Sequence, residues 1–484
     1  MKPVAGLFWT GGEASGVSTM LLRQQHGLGP DSEDRVEIEI AQSHCETRAA
    51  IAPSSRLHRF YDLIWAAALP VLALAPRNDG ERAERLGGLP GADGTPSIWF
   101  HAASMGEARS LEPILERVRA ALPSACITVT LCASIEEVRA RWRRLLPHAR
   151  VRIAAAPYDA PAAIDRAWER LRPDLLVVAE CELWPNLFHR STARGTRLLM
   201  INARIYRRDA ASYRRLRPHL APALRRAEWV GAASQEDAAR LRAAGLPGAA
   251  IHVIGSSKFD LIPPRAEEID PALRAVLERG TWIALASTHP GEEALFWPAL
   301  RQLLDSAKDL RVLLAPRHPD RAPRLLAEAR HAGIAPALRS SLGRAGSGEV
   351  ASGDSSGARL LLLDSLGELP SLFPYMRATI LGGSFVRAGG HNPIEPVTAG
   401  SPAILGPHHE NFEPVVRALA DSDVLSVTAD AGEAARVARR YLEADANRSA
   451  IAARAEAVLA PHRGAADRYT HAILSALRRC AAGV

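Results

Sequence analysis

Residues 97–131 read SIWFHAASMGEARSLEPILERVRAALPSACITVTL. SIWFHAAS is a short apolar run ending in small residues, the pattern of a buried strand that leads into a loop. EARSLEPILERVRAAL then repeats apolar side chains at three- and four-residue spacing, which predicts an amphipathic helix. ACITVTLCA returns to a short apolar run, a second strand. Two strands joined through a helix lie parallel, because the crossover carries the chain back to the edge where it began. The unit therefore predicts a parallel sheet with helices on both faces.

The alternation continues outward from this unit. IEEVRARWRRLL (135–146) reads as a helix, and LLVVAE (175–180), RLLMINA (197–203), WVGAAS (229–234) and IHVIG (251–255) as strands buried on both faces. It restarts with TWIALAS (281–287), RVLLAPR (311–317), LLLLD (360–364), ATILGG (378–383) and PAILG (402–406). Pro263 and Pro264, in LIPPRAEEI (261–269), break regular structure between the two series. The reading is an α/β protein of two doubly wound, Rossmann-like domains, 91–260 and 270–460, facing a central cleft. Residues 461–484 are expected to form a helix packing back on the first domain. The Gly/Ser-rich stretch 340–357 reads as a solvent loop. Sheets of this kind bind ligands at the carboxyl ends of their strands, so the chemistry is expected in the loops that follow.

A chain of 484 residues, 47% hydrophobic, can bury two cores, and a charged fraction of 23% excludes a disordered protein. The net charge of +7 favours anionic partners without choosing among phosphates, acidic lipids and nucleic acid. Cys45, Cys126, Cys132, Cys181 and Cys480 are far apart and form no C-x-x-C pair. That excludes a disulfide framework or a structural zinc site and fits a reducing compartment. Residues 1–55 read as a poorly ordered extension without a clear signal peptide. Residues 61–76, YDLIWAAALPVLALAP, form an apolar run broken by Pro70 and short of the roughly 20 apolar residues that a span needs. Tyr61 and Trp65 suit a membrane interface, so 56–90 reads as a membrane-associated helix and linker. A half-buried N-terminal helix is the alternative.

The loops with the most chemistry follow the strands. Glu107 lies where HAASMGE (101–107) becomes a helix, placed to take a proton from an attacking hydroxyl; a first-turn glutamate favoured by the helix dipole is the plain alternative. Glu180 and Glu182 in VAECELWPN (178–186) point the same way from extended chain, as a site carboxylate with a structural neighbour or as a salt-bridged pair. Lys258 in GSSKFD (255–260) offers a compact cation for a leaving phosphate. In the second half, Pro316, Arg317 and His318 end a strand, where an arginine clamps phosphate. Leu366, Gly367 and Glu368 lie in DSLGEL (364–369), a loop or a simple helix cap. Ser287, Thr288 and His289 form a phosphate-facing turn or an N-cap. Asn392, Pro393, Ile394 and Glu395 follow Gly389 and Gly390, and Glu395 can accept both ribose hydroxyls while the helix start faces a nucleotide phosphate. Arg204, Arg207, Arg208, Arg214, Arg215 and Arg217 cluster with Tyr206 and Tyr213, a solvated basic face or a dock for phosphorylated lipid.

Together these segments resemble the 3-deoxy-D-manno-octulosonic acid (Kdo) transferases of lipopolysaccharide synthesis. The resemblance runs from about Leu57 to the C-terminus. It is carried by ERLG, WFHAASMGE, APYDAP, RPDLLVVAECELWPNL, INAR, GSSKFD, ASTHPGEE, APRHPDR, DSLGEL, GGSFVRAGGHNPIEP and GPHHENF, in that order. Departures are Cys132 in the usually Thr-rich strand end, Cys181 where Thr precedes Glu-Leu, and Ser256 where Asn is common.

The resemblance implies a GT-B fold, CMP-Kdo as donor and the lipid A precursor lipid IVA as acceptor, at the cytoplasmic side of the inner membrane. It implies Glu107 as general base, Glu180 and Lys258 as transition-state stabilisers, and CMP contacts at Arg317, in the 366–368 loop and in the Asn392–Glu395 turn. No D-x-D-like motif ends a strand, so inverting transfer without metal or cofactor is expected, and no nucleic-acid partner. A GT-B transferase using a UDP- or GDP-sugar and a non-catalytic anionic-lipid or nucleic-acid binding protein are the competing readings.

Overall fold

Two seven-stranded parallel sheets organise the chain. The first holds β1 (Ser97–Ala102), β2 (Cys126–Leu131), β3 (Val151–Ala155), β4 (Leu175–Ala179), β5 (Arg197–Ala203), β6 (Trp229–Ala232) and β7 (Ile251–Val253), in the order β3-β2-β1-β4-β5-β6-β7. The second holds β8 (Thr281–Thr288), β9 (Leu310–Pro316), β10 (Pro336–Leu338), β11 (Leu360–Leu362), β12 (Met376–Leu381), β13 (Ala403–Leu405) and β14 (Leu425–Val427), in the order β10-β11-β9-β8-β12-β13-β14. The computed structural model describes residues 56–74, 79–145, 151–180, 184–206, 209–261, 269–342, 358–444 and 447–481. The 1–55 extension, Glu182, Arg207, Arg208, residues 262–268 of the linker and 343–357 of the Gly/Ser-rich stretch lie outside the described residues.

Period-two alternation explains why each strand is apolar throughout. Leu175, Val177 and Ala179 of β4 enter one core with Ile98, Phe100 and Ile127, while Leu176 and Val178 enter the opposite core with Trp99 and Phe188. The second sheet is sandwiched in the same way. Each fully buried Leu, Val or Phe contributes about 1.5–3 kcal/mol, so both faces must be covered. Strands β3, β10 and β14 escape the apolar-run reading because they are short or half-exposed sheet edges.

In each sheet the strand order reverses beside the first strand, between β1 and β4 and between β8 and β12. Loops leaving the two strands on either side of such a point diverge and open a crevice. In the first sheet these loops carry Glu107 and Glu180, and His101 pairs in register with Val178 just before them.

The C-terminal helix Ala465–Ala481 packs on the Met105–Ala121 helix, with Ala465, Tyr469, Ile473 and Leu477 as its buried stripe in the first domain's core. Its start is capped from a distance. Asp260 accepts the Gly464 and Ala466 N–H groups at 2.6 and 2.7 Å.

The helix Arg56–Ala73 has two unlike faces. Phe60, Leu63, Ile64 and Val71 are exposed, with Leu74 just beyond its end. The other face docks through aromatic contacts, Trp65 to Tyr158 at 5.9 Å and His58 to His189 at 5.1 Å. No helix among the described residues is long and apolar enough to cross a membrane.

Asp159, from APYDAP, ties this helix to the domain. Its carboxylate accepts the Asn186 and Leu187 N–H groups at 3.0 and 2.7 Å, capping the Pro185–Ala193 helix, and the Tyr61 hydroxyl at 2.9 Å. Complete burial pushes its pKa up to about 7, against the pull of those donors. The folded chain therefore holds this proton more tightly than the unfolded chain, whose aspartates titrate near 4. Its contribution to stability is full below that value and is lost as pH rises to about 7. Denaturant titrations should show wild type losing stability relative to Asp159→Asn across this window, by at most about 1.4 kcal/mol per pH unit. A pH-independent difference between the two proteins would contradict this.

Candidate active site

Glu107 opens the Met105–Ala121 helix as its third residue. Ser104 is the N-cap, and its Oγ accepts the Glu107 N–H at 3.3 Å. In return the Glu107 carboxylate accepts the Ala103 N–H at 2.6 Å and the Ser104 hydroxyl at 3.3 Å. This reciprocal cap satisfies helix-end donors and also fixes where the carboxylate points. Glu107 is 8% exposed. His101, the last but one residue of β1, has its Nδ1 3.0 Å from the Thr130 hydroxyl and its ring edge-on to Trp184. Burial, with Arg85 nearby, lowers its pKa to about 3, so the ring is neutral.

Across the switch point, Glu180 follows β4 with φ of 55°, a left-handed backbone conformation that strains a residue with a side chain. The strain turns its carboxylate onto Lys258. The Lys258 Nζ donates to Glu180 Oε1 at 2.6 Å and to the Asn411 carbonyl, from the opposite domain, at 2.8 Å. Glu180 and Lys258 are only 5% and 3% exposed. Burial raises the Glu180 pKa, but Lys258 and Arg204 outweigh it and hold the group below the ordinary carboxylate value. The turn carrying Lys258 is anchored by Ser257, whose N–H donates to Asn202 Oδ1 at 2.8 Å and whose hydroxyl donates to the Ser110 carbonyl at 2.7 Å.

On the second domain, Asn392 Oδ1 accepts the Ile394 N–H at 3.1 Å and its Nδ2 donates to Glu395 Oε1 at 3.1 Å. The helix they open, Ile394–Thr398, has five residues, with Pro393 as its N-cap. So short a helix has little macrodipole, and Asn392 already occupies one of its N–H groups, so the turn offers side chains rather than a dipole. Glu395 Oε1 is also held at 2.8 Å by Arg109 Nη2, which belongs to the same helix as Glu107. Arg317, after Pro316, pairs with Glu137 of the first domain at 2.7 Å. Arg317, His318 and Leu366 line a pocket of about 540 Å³ together with Glu137, Pro319, Asp320 and Asp364. Gly367 takes φ of 97° to turn that loop, while Glu368 faces away to pair with Arg339 at 2.8 Å.

The two halves of the site also meet at Gly106. A Cβ on Gly106, next to Glu107, would stand 3.8 Å from the Asn411 side chain. Asn411 in turn donates its backbone N–H to the Gly389 carbonyl at 3.0 Å and its Nδ2 to the Ala388 carbonyl at 3.2 Å. The loop bearing Glu107 thus abuts the glycine turn that precedes Asn392.

Comparison with known proteins follows the same lines. The sequence pattern of the family described as 3-Deoxy-D-manno-octulosonic-acid transferase (kdotransferase) matches residues 80–261. The 3-deoxy-D-manno-octulosonic acid transferase of Bordetella pertussis is 36% identical over 388 residues, 78% of this chain and 86% of that protein. That of Haemophilus influenzae is 30% identical over 417 residues, 84% of this chain and 93% of that protein. This chain belongs to the Kdo transferase family. It is therefore a glycosyltransferase, and its paired sheets are the GT-B fold. Among solved structures, S. aureus MnaA with UDP gives a TM-score of 0.53 at 13% identity, over 79% of this chain and 96% of that one. UDP-GlcNAc 2-epimerase from Neisseria meningitidis gives 0.51 at 12%, over 78% and 99%. At such identities these likenesses concern the fold alone.

In this Kdo transferase three further residues join the site. Arg109 had no signal, being one arginine of many on an amphipathic helix. Asn411 and His391 lay in segments already singled out, GPHHENF and GGHNPIE, but spacing drew attention to Asn392 and Glu395 instead. Among the described residues no group of three His, Cys, Asp or Glu side chains lies close enough to hold a metal ion.

Removing Lys258 alone strands a buried carboxylate. Lys258→Ala should lower unfolding free energy by about 3–5 kcal/mol, and Lys258→Met combined with Glu180→Gln by clearly less. Urea denaturation checks both; equal losses would mean that the pair is not coupled.

Proposed function

We propose that this protein transfers Kdo from CMP-Kdo to lipid IVA in lipopolysaccharide synthesis, with inversion and in a single displacement. The observation that carries the proposal is the abutment of the Glu107 loop on Asn411 and the glycine turn, since base and donor must meet at one anomeric carbon. An acceptor hydroxyl loses its proton to Glu107, and its oxygen attacks the anomeric carbon. The bond from that carbon to the phosphate oxygen breaks, and CMP leaves with the electron pair. Arg317 supplies positive charge for the phosphate from the pocket end. Lys258 adds charge from the other side and, through the Asn411 carbonyl, holds the two domains in reacting position. Asn392 and Glu395 receive the ribose, which displaces water or shares Glu395 with Arg109.

Glu107→Gln separates the base from the cap, because glutamine keeps an oxygen to accept the Ala103 N–H and loses the basicity. It should lower kcat by about 100- to 10,000-fold while CMP affinity stays within about twofold. Mass spectrometry of lipid IVA after incubation with CMP-Kdo gives the first quantity, and competition by CMP against UMP gives the second and tests the donor. Near-normal kcat in this variant would remove Glu107 from the mechanism.

The exposed face of Arg56–Ala73 supports a seat on the lipid surface, where the acceptor's acyl chains are anchored. Arg214, Arg215 and Arg217 are exposed and suit phosphorylated headgroups at the cytoplasmic face of the inner membrane. Replacing Leu63 and Ile64 together by Asp should cut co-sedimentation with anionic vesicles about tenfold or more, at two charges into an apolar interface. Undiminished co-sedimentation would exclude this helix as the contact.

A further inference from the structure

At the second sheet's switch point, two histidines that the mechanism above does not use face one another. His289 directly follows β8, and His391 lies in the loop after β12. Their Nε2 atoms are 3.0 Å apart, with ring centroids 5.2 Å apart and planes inclined at 24°. Such a contact requires one Nε2 to carry the proton and the other a lone pair, so the pair shares a single proton between two neutral rings.

Backbone hydrogen bonds lock together the turns that carry the two rings. The Glu292 carboxylate accepts the N–H groups of His289, Gly383 and Phe385 at 2.9, 2.7 and 2.9 Å, locking the turn after β8 to the turn after β12. Gly383, at φ of 68°, lies against both: a Cβ there would come within 3.1 Å of each imidazole. Arg317, His318 and Arg321 surround His289, with Glu293 opposing them; Arg317, Arg109 and His318 surround His391. Burial first, and then the nearby arginines, push both imidazoles below the ordinary histidine value, His391 the further. His391 thus feels both Arg317, from the pocket, and Arg109, which holds Glu395, the two places assigned above to the nucleotide.

We infer that His289 and His391 form the seat of the donor's phosphate, their Nε2 atoms hydrogen-bonding its oxygens in place of each other. A phosphate oxygen that arrives beside the two Nε2 atoms accepts from both Nε2–H groups once the rings turn toward it and the second ring adopts its Nε2–H tautomer, and no net proton is needed. The bonds become charge-assisted and strengthen as negative charge grows on the leaving group. The backbone turns that carry the rings are held together by Glu292, so only the rings adjust.

The inference rests on the CMP-Kdo reading, and a binding experiment separates the two. Calorimetry on the full chain compares CMP with cytidine, so that the ratio of affinities reports the phosphate alone. In His391→Asn and His289→Asn that ratio should fall by about 10- to 100-fold, with cytidine affinity kept within about twofold. His391→Gln, whose amide reaches the place of Nε2, should recover part of the loss. An unchanged ratio, or equal weakening of CMP and cytidine, would overturn the inference. If wild type prefers UMP to CMP, the donor reading falls instead, and the UMP-to-uridine ratio then tests the histidines in the same variants.

Discussion

A lysine ammonium withdrawn from water costs several kcal/mol unless oppositely charged and polar groups surround it. Lys258 meets that condition only where three separate segments converge: its own turn, the strained end of β4 with Glu180, and the Asn411 carbonyl of the other domain. The segments around it are placed accordingly. Ser257 binds the turn to Asn202 and Ser110, and Asp260 binds it to the start of the C-terminal helix. Residues 257–260 thus join the end of β4, β5, the helix that carries Glu107 and the last helix of the chain.

The contacts between the domains in this region are mostly polar: Lys258 with Asn411, Arg109 with Glu395, Arg317 with Glu137, and Arg204 near Glu413. The Arg109 and Arg317 pairs are partly exposed, whereas Lys258 is buried and fixes its partners. Arg109 and Arg317 each hold a carboxylate across the two domains, Glu395 and Glu137, so neither cation is bare.

Several residues are both scaffold and chemistry, and the physics does not force a choice. Glu107 is a capping-box glutamate and the candidate base, because the hydrogen bonds that satisfy the helix end also orient its carboxylate. Glu292 is buried in the second domain, where its raised pKa reflects burial offset by three backbone donors, and its structural task is what places His289.

Much was legible in the residues alone. The apolar runs and helical spacings from SIWFH to PAILG predict two parallel sheets because a strand buried on both faces leaves no polar alternation. The loops after the strands predict where Glu107, Glu180, Lys258, Arg317, Asn392 and Glu395 lie along each domain. The three strands that were missed are short or lie half-exposed at sheet edges, where burial no longer dictates composition. What only the tertiary structure decided is pairing across distance: Lys258 with Glu180, Arg109 with Glu395, His289 with His391, and Asp159 with the Pro185–Ala193 helix. Local pattern depends on the period of one element, but these partners are from 27 to 286 positions apart. They become neighbours only when strand order and domain closure bring their loops to a common cleft.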